Sequence, residues 1–388
     1  MRKLPGWLVI PLLAFVVSRL LVFGIGLLAD SMLPTEEGHW IADENNQFLS
    51  TWAKWDSQYY VDIASNGYWY NPGHQSNVAF FPLYPILMRI VSIVLNGNLI
   101  LAGFLISNLA FWGGLIFLYL LTELEFDSDS ARRAVVYLTL FPTSFFFSSV
   151  YTESLFLFLS IGTMYFARRH QWTAAAIFGI LAAVTRNLGV LMWAMVLWEW
   201  LRVQGWTLTS IYKKDTWNNL IRGLKQNWIE VLVISLIPLG LLAYIYFLQH
   251  NFQRPLAFIE VQSAWGRENI GPIEVIKKNI IELTKGEVNK GWLTRFWNVA
   301  SLLTFLALVP FIWIKLGEGY AIFVLILMLV PSASAVGSIF RYVLTAFPAF
   351  MLLGWWGRRE IIDRSISVSF AALLGVFIAI FVNWVFVA

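Results

Sequence analysis

The stretch Leu99–Leu121 reads LILAGFLISNLAFWGGLIFLYLL and contains no charged side chain. At 1.5 Å per residue, a helix of this length covers about 35 Å, enough to cross the roughly 30 Å hydrocarbon core of a bilayer. Backbone N–H and C=O groups there must be paired internally, so the run is read as a membrane-spanning helix. Similar runs recur along the chain: the N-terminal one to about Ala29, Ala134–Ala167, Trp172–Trp200, Ile229–Leu248, Phe296–Lys315, Tyr320–Val336, Phe340–Trp356 and Ser367–Val387. Across 388 residues, 59% are hydrophobic and 13% charged, which excludes a disordered, collagenous or ordinary cytosolic chain. The 20 Trp, 14 Tyr and 31 Phe suit a molecule with many water–lipid boundaries. With no cysteine, disulfides and thiol chemistry are excluded, and the four histidines (His39, His74, His170, His250) are too scattered for a local His-rich metal site. A net charge of +4 gives no ground for nucleic-acid binding.

Basic residues set the expected topology. The N-terminal run after Met1-Arg2-Lys3 is read as an uncleaved first span, because it is long and no small-residue cleavage site precedes the loop. The following stretch, 30–98, is read as a large external loop with interfacial helices; its first part carries Asp30, Glu36, Glu37, Asp43, Glu44, Asp56 and Asp62 against Lys54. The pairs Arg132-Arg133, Arg168-Arg169 and Arg358-Arg359, and the loop 202–228, are placed inside. Ala134–Ala167 must then turn near Ser148-Ser149, and Trp172–Trp200 near Thr185-Arg186-Asn187, both outside. Residues 249–295 form a second external loop, although Lys277, Lys278, Lys285 and Lys290 run against that placement. Ala79–Leu95, with Pro82, Pro85 and Arg89, is read as an external or re-entrant segment, with a twelfth span as the alternative. The whole chain, 1–388, is expected to be a single all-α polytopic membrane domain with about eleven spans.

On this topology Asp56, Arg89, Glu153, Arg186, Arg267 and Arg341 all fall at external ends of spans or in external loops. Each charge costs about 2.5–3.5 kcal/mol at the centre of a span, so clustering at one depth points to a shared polar cavity. Trp52–Ile63 is read as one interfacial helix with positions 52, 55, 56, 59, 60 and 63 on a single face. That face sets Asp56 among Trp55, Tyr59 and Tyr60, as a general base, as a sugar ligand, or as one tolerated acid on an anchor helix. Asp62 points elsewhere, toward solvent. Glu153 follows Ser149 and Thr152 as part of a helix cap, or faces Asp56 as a second carboxylate. Arg186 and Arg341 snorkel or clamp a phosphate, and Arg19 in the first span pairs internally. Asp127-Ser128-Asp129 spells the metal–nucleotide-sugar tripeptide, but lies in a short internal loop without a Rossmann pattern and is read as a cap.

Trp55-Asp56-Ser57-Gln58-Tyr59-Tyr60-Val61-Asp62-Ile63 with Ala79-Phe80-Phe81-Pro82-Leu83-Tyr84-Pro85 resembles the first-loop signature of the PIG-V-like mannosyltransferase family. Phe141–Phe156 is similar to the family's second block and Thr185-Arg186-Asn187 to its third. Pro255–Phe258, Trp265-Gly266-Arg267, Arg341-Tyr342 and Phe347-Pro348 are similar to later blocks. Before the Ala-Phe-Phe-Pro string the chain departs from the family pattern, with His74, Gln75 and Asn77 in place of an acid. The resemblance implies a GT-C glycosyltransferase fold with its site on the non-cytoplasmic face. It also implies a polyprenyl- or dolichyl-phosphate sugar donor, and a glycolipid or other acceptor. Asp56 is then the expected base, with Glu153 orienting a substrate. Arg186, Arg267 and Arg341 hold the donor phosphate, and Trp55, Tyr59, Tyr60 and Tyr342 contact substrate. The leaving group is already a phosphate, so no cofactor is required, while a divalent cation is compatible with the chemistry. The absence of an N-x-S/T sequon and of an endoplasmic-reticulum retrieval tail leans toward a prokaryotic cell membrane. The competing expectation is a transporter or lipid flippase, whose polar residues line a path open to both sides.

Overall fold

The computed structural model describes residues 5–33, 39–40, 42–43 and 46–387, and every regular element among them is helical. Arg2, Lys3, Glu36, Glu37 and Glu44, used in the topology argument, lie outside the described residues. The first helix, α1 (Gly6–Met32), is followed by three short ones, α2 (Gln47–Trp52), α3 (Ser57–Asn66) and α4 (Leu83–Ser92). Side-chain oxygens open several helices by taking a donor that the first turn leaves unpaired. Asn98 accepts from Leu101 N–H at 2.8 Å to start α5 (Leu99–Glu125), and Asp127 accepts from Ser130 N–H at 2.8 Å to start α6 (Ser128–Leu140). The Asp-Ser-Asp tripeptide therefore serves as a helix cap. The turn expected near Ser148-Ser149 separates α6 from α7 (Glu153–Arg168), and the one near Arg186 separates α8 (Trp172–Thr185) from α9 (Leu191–Val203).

After α10 (Lys214–Gln226), α11 (Trp228–Ile234) and α12 (Leu239–Phe252) meet at 43° across a break that holds Pro238. The stretch after α12 carries α13 (Ala257–Glu260) and α14 (Pro272–Lys285). Then come α15 (Lys290–Leu316), α16 (Glu318–Ser332), a short α17 (Ile339–Tyr342), α18 (Phe347–Trp356) and α19 (Glu360–Val382). The chain turns by 75° between Ile339–Thr345 and α18, just before Pro348. Length and apolarity qualify four single helices as spans (α1, α5, α15 and α19), or up to six if the two bent pairs each count as one. The other expected crossings include the shorter apolar helices α8 and α16. Leu83–Leu95 is a third short apolar helix of this kind and ends in a 3-10 turn.

The helices form one bundle in which α5 packs along α7, α7 along α8, α6 against α18 and α1 against α5, α6 and α19. Lipid offers no hydrophobic drive for helices to associate, so small residues that let backbones approach carry part of the packing. On α8, Ala175, Ala176, Gly179, Ala182 and Ala183 are all buried. At the C-terminal end of α7, Arg168 pairs with Glu125 and Glu199, Glu199 accepts from Arg202 at 2.7 Å, and the Tyr320 hydroxyl donates to Glu125 at 2.8 Å. These contacts tie α5, α7, α9 and α16 together. Glu153 starts the same helix, which at 1.5 Å per residue sets the two clusters about 24 Å apart.

Gly189, in the 3-10 turn after Arg186, has no room for a side chain: a Cβ there would lie 2.0 Å from the Ala182 carbonyl oxygen. Overpacking usually costs about 1–3 kcal/mol, and backbone yields less readily than a side chain. Gly189→Ala is expected to lower unfolding stability in detergent by about 3 kcal/mol. A loss below about 1 kcal/mol would show that the turn relaxes freely.

Candidate active site

The site begins where the expected interfacial helix breaks. Residues 52–63 do not form one helix: α2 ends at Trp52, Trp55 takes a left-handed φ of 55°, and α3 starts at Ser57. This break sends the aromatic side chains to different places. Trp52 packs in the core against Phe23 at 5.5 Å, and Trp55 turns toward Trp384 and Phe386. Tyr59 stacks on Phe80 at 4.7 Å and its hydroxyl donates to Gln75, so it backs the cavity wall. Of the three aromatics set around Asp56 by the sequence, Tyr60 borders the main cavity.

Asp56 occupies the cap position of α3 without capping it, which leaves its carboxylate available. Its backbone N–H donates to the Tyr151 hydroxyl at 3.1 Å, and that hydroxyl donates to the Lys54 carbonyl at 3.0 Å, fixing the turn. Arg341 Nη1 donates to Asp56 Oδ2 at 2.8 Å, and Arg341 Nε lies 3.3 Å from Glu153 Oε1. Arg186 Nη1 donates to the same Glu153 oxygen at 2.8 Å, while Glu153 Oε2 has no hydrogen-bond partner among the described residues. The result is a chain of four alternating charges, Asp56–Arg341–Glu153–Arg186, with the Glu153 side chain 1% and the Arg341 side chain 6% exposed. Rings complete the setting: the Arg341 guanidinium lies 5.1 Å from the Tyr151 centroid, and Arg186 lies 5.0 Å from that of Tyr342. Arg267 donates to the Tyr342 hydroxyl at 3.2 Å and has no carboxylate partner among the described residues.

The four charged groups of this chain, with Arg267 and Tyr342, border one cavity of about 830 Å³, walled on its apolar side by residues such as Phe80, Phe258, Trp265 and Val330. Asp56, Glu153, Arg186, Arg267, Arg341, Tyr60 and Tyr342 therefore meet as expected. Arg89 does not: it is exposed on α4, away from the cavity lining. Arg19 is buried in α1 beside neutral partners, donating to Ser148 Oγ at 2.7 Å, with its guanidinium 4.8 Å from the Phe111 centroid. Asp62 is not simply solvated, because it accepts from Trp69 Nε1 at 2.7 Å and from Asn77 Nδ2 at 2.9 Å and holds the loop after α3. Sequence reasoning missed Glu260, a third carboxylate on the lining, and the part played by Phe386. An acid beside the Pro-Leu-Ala-Phe string was a usable signal for the former; nothing local marked the latter. Among the described residues no three His, Asp or Glu are grouped to hold a metal, and two of the cavity's carboxylates already answer arginines.

Helical spans and a buried ionic cluster bordering a cavity at one end of the bundle define a multi-pass membrane protein. The chain belongs to the mannosyltransferase (PIG-V) family, whose model matches residues 15–317. It is similar to GPI mannosyltransferase 2 of Drosophila pseudoobscura pseudoobscura, 29% identical over 174 residues, which cover 38% of this chain and 38% of the relative. It is also similar to GPI alpha-1,6-mannosyltransferase 2 of Mus musculus, 27% identical over 208 residues, covering 51% of this chain and 40% of that protein. The matches thus span about two fifths of these relatives' own lengths. Among solved structures, ArnT from Cupriavidus metallidurans bound to undecaprenyl phosphate aligns with a TM-score of 0.49 and 14% identity, over 96% of this chain and 76% of that one. The Archaeoglobus fulgidus oligosaccharyltransferase aligns with a TM-score of 0.48 and 11% identity, over 97% and 53%.

Glu153 is the central carboxylate of the ionic chain, and Glu153→Gln keeps its shape while removing its charge. Breaking a buried pair from one side costs about 3–5 kcal/mol, because the remaining charge stays desolvated. Unfolding of Glu153→Gln in detergent is expected to show a loss in that range, and a change under about 1 kcal/mol would mean that Arg186 is balanced by other groups.

Proposed function

We propose that this protein is a GT-C glycosyltransferase that moves a hexose, mannose by its family, from a polyprenyl- or dolichyl-phosphate donor to a lipid-linked or other acceptor. The observation that carries the reading is Arg341 shared between Asp56 and Glu153 in the cavity. Asp56 meets Arg341 through Oδ2, which leaves Oδ1 for a hydroxyl of the acceptor. The acceptor oxygen attacks the anomeric carbon as Asp56 takes its proton. The bond from that carbon to the phosphate oxygen breaks, and polyprenyl phosphate leaves with the electron pair, inverting the configuration.

Arg341 holds Asp56 through Oδ2, so that pairing must loosen as the carboxylate takes the acceptor's proton. The donor phosphate competes for the same guanidinium and supplies that loosening. Arg267, the arginine without a carboxylate partner among the described residues, is the first anchor for the phosphate, and Arg186 and Arg341 stabilise it as its charge grows. Glu153 keeps both of those arginines aimed. Tyr60 and Tyr342 present rings to the sugar. No metal is required on this reading, since three guanidiniums answer the leaving charge. A transporter or flippase needs a path at both ends of the bundle, and the buried Glu125–Arg168–Glu199 cluster that joins four helices at the far end of α7 supports the enzyme instead.

The site faces the non-cytoplasmic side in this proposal, supported by the basic residues Arg168, Arg169 and Arg202 at the opposite ends of α7 and α9. The setting expected from the sequence, a prokaryotic cell membrane, makes sidedness testable in intact cells. The chain has no cysteine, so single cysteines report cleanly. Ser263→Cys, at an exposed residue on the cavity lining, should react with an impermeant maleimide added outside, and Tyr212→Cys, at a residue 95% exposed in the loop 202–228, should react only after lysis. The reverse pattern overturns the orientation.

Asp56→Asn keeps size and much of the hydrogen bonding but cannot take a proton. Transfer from a labelled polyprenyl-phosphate mannose should fall by a factor on the order of 10²–10⁴ with donor binding little changed. Glu274→Gln is the control, on an exposed pair with Lys277, and should match the wild type. Near-normal turnover in Asp56→Asn would remove Asp56 as the base.

A further inference from the structure

A second cavity of about 470 Å³ adjoins the first, and Phe386 borders both. Its wall is the segment after α19, where Trp384 adopts a left-handed φ of 61° and Thr294 donates its hydroxyl to the Phe386 carbonyl at 3.1 Å. Trp55 meets Trp384 at 5.4 Å and Phe386 at 5.2 Å between centroids, giving the cavity an aromatic side. Asn279, Thr294, Lys290 and Arg295 supply a polar one. Two observations at this cavity are unexplained by the donor chemistry. Trp55, beside the proposed base, turns its ring away from the main cavity and onto Trp384 and Phe386, so that it lines this one. The external loop 249–295 is basic against the charge rule for membrane proteins, and Lys290 and Arg295, at its end, both border this cavity.

We infer that the second cavity, lined by Trp55, Trp384, Lys290 and Arg295, binds the acceptor's headgroup, a sugar ring carrying a phosphate ester. An indole offers a face for the C–H side of a sugar. The cations meet the ester; Arg295 is held in place by Glu282 at 2.8 Å and Asn279 at 3.2 Å, while Lys290 stands exposed beside it. Trp55 precedes Asp56 in the chain, so a ring on its indole has its hydroxyls next to the larger cavity, past Phe386. The inference rests on the glycosyltransferase reading and adds the acceptor's side of it.

Gly337 offers a direct test: it lines this cavity, and a Cβ there meets no atom within 4 Å. Gly337→Leu therefore sends a side chain into this space from an unobstructed Cβ, and Lys290→Gln removes an exposed cation. Binding of octyl mannoside 6-phosphate, methyl mannoside 6-phosphate and neutral methyl mannoside is measured on detergent-purified full chain, with the unfolding midpoint of each variant as a check on folding. The phosphorylated probes should bind at least tenfold more tightly than the neutral one. Both variants should weaken that binding by tenfold or more. A tighter octyl than methyl probe identifies a lipid-borne headgroup, and equal binding identifies a free sugar phosphate; either supports the site. Binding unchanged in both variants, or phosphorylated probes displaced by polyprenyl phosphate alone, overturns it. A wild type that cleaves no polyprenyl-phosphate sugar would defeat the glycosyltransferase reading separately, because probe binding does not depend on the donor.

Discussion

Arg341 sits between Asp56 and Glu153, and the irregular parts of the structure can be understood from what that position demands. A guanidinium with a side chain 6% exposed, next to a lipid-facing bundle, is costly to bury, and here two carboxylates reach it, each of which needs its own balance. Asp56 comes from the break before α3, Glu153 from the first turn of α7, Arg186 from the extended residue after α8, and Arg341 from α17. The backbone departs from regular geometry at these places: Trp55 and Ser338 both have positive φ. Such conformations persist where the surroundings over-determine them, and non-helical backbone at membrane depth is stable where it lines a polar cavity.

The two ends of α7 use charge differently. Around Arg168 the acids and bases neutralise one another among packed helices, with side-chain exposures of 15%, 8% and 4% for Arg168, Glu125 and Glu199. Around Glu153 the same kind of pairing borders open space, Arg267 lacks a carboxylate, and Glu153 Oε2, a buried oxygen, lacks a donor among the described residues. The first arrangement holds helices together. The second leaves charge for a ligand to complete.

The segment between α1 and α3 is tied to the end of the chain. Lys54 donates to the Val382 carbonyl and lies 5.0 Å over the Trp384 ring, and burial pushes its ammonium down to about 8 while Asp30 pulls it back up. His39 stacks on Trp384 at 4.4 Å. The segment that separates the two cavities is therefore anchored to the loop that carries Asp56, and the spaces on its two sides share a wall with the proposed base.

Much of this was legible in the amino-acid sequence. Apolar runs marked the helices, and the impossibility of a single helix from Ala134 to Ala167 located the turn before Glu153. Charge placed Asp56, Glu153 and the arginines at a common depth, because lipid penalises each charge wherever it sits and so sorts charges toward the same boundary. What a linear pattern does not carry is which charges neutralise one another: Asp56 and Arg341 are 285 positions apart, and only helix packing makes them neighbours. The same limit explains the misplaced aromatic face, since helical periodicity from Trp52 to Ile63 is compatible with a continuous helix until the left-handed Trp55 breaks it. Arg89 and Asp62 were misread for the related reason that composition records a side chain's cost in lipid and not its partner. Phe386 and the second cavity belong wholly to the tertiary structure, because a cavity is the space left between segments and has no sequence of its own.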